Sequence, residues 1–233
     1  MFTRQVLDDR IRPETADAIE SLRARLLADR RVLEVEDLGA GPVSGEGRRR
    51  TVADIARRAA KPPRYGRLLH RIAAHLGCRS ALELGTSLGL TTCYLATVPG
   101  MQDVLTLEGA QSIRKVAEEN FAAMGLSHIR TIGGDFDQTL AQALALMPEP
   151  DLVFIDGNHR YEPTIRYFEQ CLACSGSHTV LIFDDIHWSP GMEQAWREIC
   201  SHPLVRCTID LFFIGIVLFR DEFREPQHFT IRY

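Results

Sequence analysis

The chain has 233 residues, of which 45% are hydrophobic and 25% charged, and 27 Lys and Arg stand against 31 Asp and Glu for a formal net charge of -4. That content can bury a core of enzyme size, and the negative balance argues against a polyanion-binding protein. No stretch reaches the roughly eighteen uninterrupted apolar residues of a membrane span, and the opening MFTRQVLDDRIRPE lacks an apolar signal core, so a cytoplasmic protein without membrane association is expected.

The first element in chain order is a helix carrying Ala18, Ile19, Leu22, Leu26 and Leu27 as an apolar stripe, with Arg23, Arg25 and Arg30 on other faces. Such a stripe needs a partner surface, in the same chain or in a second copy as a homodimer. Residues 36–42 imitate a glycine-rich ligand loop, but only Ser44, Gly45, Glu46, Gly47 and three arginines follow, not an apolar helix. A lid or substrate loop is the better reading. The arginine run continues through Arg57, Arg58, Lys61, Arg64, Arg67 and Arg71 with Tyr65 as the one aromatic nearby, too thin an interleaving for a nucleic-acid stacking platform. A solvated face or the binding of an acidic small molecule accounts for it more simply. A second helix is predicted over 64–76, with Leu68, Leu69, Ile72 and Leu76 on its buried face. Residues 1–60 are accordingly read as an N-terminal helical extension and 61–233 as the main domain.

From residue 80 the pattern changes to alternating βα units. The run Leu82 to Leu90 reads as a buried strand, a turn and a helix start, with Gly85 turning the backbone and Gly89 letting the helix approach a ligand. Its spacing is E-x-G-x-x-x-G, not the G-x-G-x-x-G of dinucleotide sites, which favours a nucleoside ligand without phosphates. A second strand, 103–108, ends in Glu108, placed to accept hydrogen bonds from ribose hydroxyls. A third, 128–132, leads into Gly133, Gly134, Asp135 and Phe136. Further strands are predicted at 152–156 and 179–183, with helices over 137–147, 161–174 and 191–200. Two closing strands, 207–213 and 215–219, are too close for a helical crossover and must form an antiparallel hairpin. Continuous apolar strands separated by helices imply a parallel sheet covered on both faces. The six cysteines, at 78, 93, 171, 174, 200 and 207, fall mostly inside these elements as reduced core thiols, and the lone C-x-x-C of Cys171 and Cys174 has no second pair to complete a zinc site.

Parallel strands share one direction, so Asp156 and the pair Asp184 and Asp185 end on the same edge as the glycine turn. Adjacent strands lie about 4.8 Å apart, and three carboxylates that close repel one another unless a positive group intervenes. A hard divalent cation is the simplest compensation. The alternative is that Asp156 ends a turn and Asp184 or Asp185 caps the next helix. His159 and His187 are the candidate general bases, and Tyr161 and Trp188 could wall an acceptor site or belong to the core rim.

The three glycine and acid corners resemble the cofactor site of class I S-adenosylmethionine-dependent methyltransferases. The resemblance implies a Rossmann-like, doubly wound, mostly parallel seven-stranded sheet with an antiparallel C-terminal hairpin. It also implies that Glu83, Gly85, Thr86, Ser87 and Gly89 meet the amino acid part of the cofactor. Glu108 would then hold the ribose, Asp135 and Phe136 would flank the adenine, and Asp156 would close the site. The runs F-I-D-G-N-H and D-D-I-H-W are similar to metal-dependent sugar, macrolide and catechol O-methyltransferases, and to bacterial relatives without an assigned substrate. By that likeness Asp156, Asp184 and Asp185 would hold Mg2+ or Mn2+, Asp156 with His159 or His187 would serve catalysis, and a small-molecule hydroxyl would accept the methyl group. The sugar enzymes place an acidic base where this chain has Asn158. Metal-independent N-methyl transfer and an inactive cofactor-binding protein are the alternatives.

Overall fold

The computed structural model describes residues 2–35 and 49–233. The glycine-rich segment read as a lid, apart from Arg49 and Arg50, lies outside them. Ahead of the main sheet come α1 (Phe2–Val6), α2 (Ala16–Ala28), a two-stranded antiparallel ribbon of β1 (Val32–Glu34) and β2 (Arg49–Thr51), α3 (Val52–Ala59) and α4 (Pro63–Leu76). The alternating part then runs β3 (Ser80–Leu84), α5 (Leu90–Ala96), β4 (Asp103–Glu108), α6 (Gln111–Ala123), β5 (Ile129–Gly133), α7 (Phe136–Leu146), β6 (Leu152–Ile155), α8 (Tyr161–Leu172), β7 (Val180–Asp184) and α9 (Pro190–Ser201). It closes with β8 (Cys207–Asp210), β9 (Ile214–Leu218) and β10 (Gln227–Thr230).

The sheet has eight strands in the order β10-β8-β9-β7-β6-β3-β4-β5. Pairings among β3 to β7 are parallel, while β9 runs antiparallel to both β7 and β8, which is the expected hairpin. The sheet exceeds the expected seven strands because β10 adds itself parallel to β8 at the edge. Its residues Gln227, His228, Phe229 and Thr230 are all exposed, so no buried face marks them in the sequence.

Alternation along each strand divides the core between two faces. On one, Ala81, Val104, Phe154 and Ile182 pack with Leu68, Leu69 and Ile72 of α4. On the other, Leu82, Leu105, Val153 and Leu181 pack with Leu140 of α7, Phe168 of α8 and Ile199 of α9. A third cluster joins Ile19, Leu22 and Leu26 of α2 to Val52 and Ile55 of α3, Tyr94 of α5 and Phe121 of α6. The stripe on α2 therefore finds its partner within this chain. Strand order reverses at β3, which pairs with β4 on one side and β6 on the other, and an open α/β sheet leaves its ligand crevice at that point, outside the carboxyl ends of the strands. Among the described residues no helix is long and apolar enough to cross a membrane.

Candidate active site

The crevice beyond β3 and β6 is held open by backbone geometry. Gly85 has φ +107°, and a Cβ there would lie 2.0 Å from the Asp156 carbonyl oxygen, so only glycine lets the two strand ends sit side by side. Gly85 and Thr86 both donate their N–H to the Leu107 carbonyl, and Asp156 N–H donates to Leu84, which ties three strand ends together. Ser87, Asn158 and Asp185, at the ends of β3, β6 and β7, all carry positive φ without being glycine. Strain of this kind costs about 1–3 kcal/mol per residue and persists where surrounding contacts enforce it, typically at functional sites.

A cavity of about 400 Å³ opens there. Gly85, Ser87, Glu108, Asp135, Phe136, Asp156, His159 and Asp185 line it, joined from the N-terminal elements by Arg50, Arg58 and Lys61. Glu108 accepts hydrogen bonds from the N–H groups of Ser87 at 2.8 Å and Ala110 at 2.9 Å, and burial holds its pKa above the usual carboxylate range. Asp135 is the N-cap of α7, accepting from Asp137 N–H at 2.9 Å, and still faces the cavity. Phe136 sits edge-on to Tyr167 with centroids 6.1 Å apart. Tyr167 also lines the cavity, and its hydroxyl accepts from Asn158 Nδ2 at 3.2 Å. No local signal marks this tyrosine in the sequence, where its ring reads as part of the apolar face of α8.

Other expected site residues lie elsewhere. Glu83 is fully buried behind the glycine turn, where Thr92 and Thr106 donate hydroxyl hydrogen bonds to Oε2 at 2.5 and 2.7 Å. Strand alternation turns it away from the crevice and onto α5. Thr86 is likewise buried, its hydroxyl 2.6 Å from that of Thr106, and Gly89 packs beneath Phe121, whose ring leaves no room for a Cβ. These three shape the corner without lining the cavity. His187 stands 2.9 Å from Asp210 and 3.6 Å from Glu193, in a separate cavity beside β8 and β10. The turn after β7, fixed by Asp185 N–H on Phe213 and Trp188 N–H on Asp185, carries it away from the crevice. Trp188 is 73% exposed, and Tyr161 donates its hydroxyl to Glu198. Neither lines the crevice cavity.

Of the three aspartates, Asp156 and Asp184 converge, together with His159. One donor atom each from Asp156, His159 and Asp184 lies within 4.8 Å of the other two. His159 Nε2 is 3.6 Å from Asp156 and 3.9 Å from Asp185. Asp184, only 1% exposed, ion-pairs with Lys61, whose Nζ also lies 3.3 Å from Asp185. Burial pushes the pKa of both Asp156 and Asp184 up; the charges of Asp185 and Glu83 add to the rise at Asp156 and that of Asp156 to the rise at Asp184, while the Lys61 ammonium opposes both. Burial holds His159 below the usual imidazole range despite its acidic neighbours. The part of Lys61 is invisible in the sequence, where it belongs to a basic run far from its partners.

The arrangement is that of a doubly wound α/β protein whose ligand crevice lies at the strand-order switch. Residues 82–186 match the family described as Methyltransferase domain. A catechol O-methyltransferase from Niastella koreensis is 29% identical over 127 residues, 53% of this chain and 57% of that protein, so the likeness spans little more than half of the relative. Among solved structures, cofactor-bound Rv0187 from MTB superposes with a TM-score of 0.63 at 24% identity, over 70% of this chain and 83% of that one. The O-methyltransferase from Bacillus cereus in complex with SAH gives a TM-score of 0.59 at 21% identity, over 94% and 100%. Over residues 82–186 the chain is thus similar to methyltransferases, and it shares the fold of these solved structures.

Proposed function

We propose that this protein transfers a methyl group from S-adenosylmethionine to a hydroxyl of a small-molecule acceptor, assisted by Mg2+ or Mn2+ at its aspartates. The observation that carries the reading is the convergence of Gly85, Glu108 and Asp135 with Asp156 and His159 around one crevice. When bound, the cofactor supplies a methyl group on a sulfonium, open to in-line displacement. Glu108 keeps free lone pairs beside its two backbone donors and can accept both ribose hydroxyls. Asp135 and Phe136 flank the neighbouring space, as an adenine amine and ring require.

A neutral alcohol attacks poorly, so the acceptor must lose its proton near the carboxylates. His159 is suited to take it, because its lowered pKa leaves the imidazole neutral at physiological pH. The residues also fit a hard cation. Asp184 Oδ1 is buried with no hydrogen-bond partner, an unsatisfied acceptor of the kind a metal ion completes. Asp156, Asp184 and Asp185 would hold it, and its chemistry there would be to lower the pKa of the acceptor hydroxyl. The name of the Niastella koreensis relative supports a hydroxyl over an amine as acceptor.

Titration calorimetry with S-adenosylmethionine, its demethylated product and NAD tests the cofactor, and tighter binding of NAD would overturn it. Methyl transfer to panels of hydroxyl and amine acceptors, with and without chelator, tests the rest. Loss of hydroxyl methylation on chelation, restored by Mn2+, is expected. Unchanged transfer in chelator would remove the cation from the reaction.

A further inference from the structure

The chain is rich in arginine and nearly without lysine: of its 27 basic residues only Lys61 and Lys115 are lysines. Lys115 is exposed on α6, whereas Lys61 is half-buried in the link between α3 and α4 with its ammonium against Asp184 and Asp185. No other Lys or Arg among the described residues forms an ion pair with Asp156, Asp184 or Asp185. Lys61 comes from the N-terminal elements, and its backbone is stiffened by Pro62 and by Pro63 at the start of α4. Its four-carbon stem is the mobile part.

We propose that Lys61 is a tethered counter-ion that competes with the divalent cation for Asp184 and Asp185, so that binding of the ion releases the lysine into the cavity. The inference rests on the cation reading of the aspartate site. An ammonium and a dication on one carboxylate, in a site shielded from water, repel each other strongly enough that only one of them stays. The ammonium neutralises a single charge and leaves Asp184 Oδ1 without a hydrogen bond, so it holds the site without completing it. A dication brings twice the charge and can engage several oxygens, which is why it can displace a lysine already in place. The released side chain stays in the cavity that it already lines, next to His159. Ion binding is thereby linked to the α3–α4 corner, which has no other ion pair to these aspartates.

Two measurements on the intact protein test this. In the first, lysines of wild type are acylated with a water-soluble N-hydroxysuccinimide ester and read by mass spectrometry, with Lys115 as internal reference. Saturating Mn2+ should raise Lys61 labelling severalfold and leave Lys115 unchanged. Equal protection of Lys61 with and without bound Mn2+ would overturn the proposal. In the second, Mn2+ binding is read from the free-ion electron paramagnetic resonance signal of wild type, Lys61→Met and Asp184→Asn. Competition predicts at least tenfold tighter binding by Lys61→Met and loss of binding in Asp184→Asn, while equal or weaker binding by a folded Lys61→Met would overturn it. If neither wild type nor Lys61→Met binds Mn2+, the cation reading itself fails and the competition falls with it, leaving Lys61 as the permanent counter-ion.

Discussion

Glu83 is an acid sealed in the core, and it makes the stability of this protein depend on pH. Burial pushes its pKa up to about 7 from 4.5, against the opposing hydrogen bonds of Thr92 and Thr106. Between those two values the folded chain holds a proton that the unfolded chain has released, so stability falls as pH rises through the window and the loss is complete above about pH 7. Glu83→Gln keeps an acceptor for both threonines without the charge. At pH 8 it should unfold at higher urea than wild type, by about 1–3 kcal/mol, and the two should coincide below pH 4.5, the ordinary value. Equal urea midpoints at pH 8 would show that the buried carboxylate is ionised at no cost. Gly85→Ala tests the crevice itself: with φ +107° and a Cβ 2.0 Å from the Asp156 carbonyl, one strand end must move. We expect a loss of about 3 kcal/mol or more in urea unfolding, together with loss of cofactor binding by calorimetry. The glycine at this corner was legible in the sequence because its constraint is local, a turn between an apolar strand and an apolar helix. Glu83 was legible as part of the motif but not in its direction, since the face it takes depends on β4 and α5. Lys61 and Tyr167 were not legible at all, because their partners are brought to them by the sheet and no local spacing encodes that.

At the scale of elements, strands with continuous apolar runs announced themselves, and the short link between β8 and β9 forced their antiparallel pairing. Not read from the sequence were α1, the β1–β2 ribbon, α3 and β10, of which α3 and β10 bear most on the sheet and the site. In α3 the apolar residues Val52, Ala53, Ile55 and Ala56 share one buried face, but the arginines on either side make the segment read as a charge run. A cap is what marks it as a helix. Thr51 Oγ1 accepts from Asp54 N–H at 3.1 Å and donates to the Asp54 carboxylate at 2.7 Å, satisfying one of the otherwise orphaned donors of the first turn. Thr51→Ala should cost about 1 kcal/mol. Because α3 carries Arg58 and leads directly into Lys61, the same variant should show faster amide exchange over 52–61 than wild type while the strands keep their protection. Uniform protection across the chain would mean that packing against α2 holds α3 without its cap.

The N-terminal elements belong to the same packed body as the sheet. The sequence reads them as an N-terminal helical extension whose apolar stripe needs a partner in the same chain or in a second copy, because their amphipathic helices show no βα alternation. In the structure α2 and α3 bury Ile19, Leu22, Leu26, Val52 and Ile55 against Leu90 and Tyr94 of α5 and Phe121 of α6. Tyr94 donates its hydroxyl to Glu20 at 2.8 Å, and Arg71 donates from α4 to the carbonyls of Val6 and Ile11. Full burial of side chains like those of Ile19, Leu22 and Leu26 contributes about 1.5–3 kcal/mol each. Three of them together approach the whole net stability of a typical domain, about 5–15 kcal/mol. Removing residues 1–60 would also bare the apolar side of α5, the helix that follows the glycine turn. The truncated chain is therefore expected to be aggregation-prone and to lack a cooperative thermal transition, measured by circular dichroism and size-exclusion chromatography beside the full chain. A truncated protein that elutes as a discrete species and melts within a few degrees of full length would show that these helices add a cover without completing the core. If it also kept its affinity for S-adenosylmethionine, Arg50 and Arg58 would be excluded as contributors to the cofactor site.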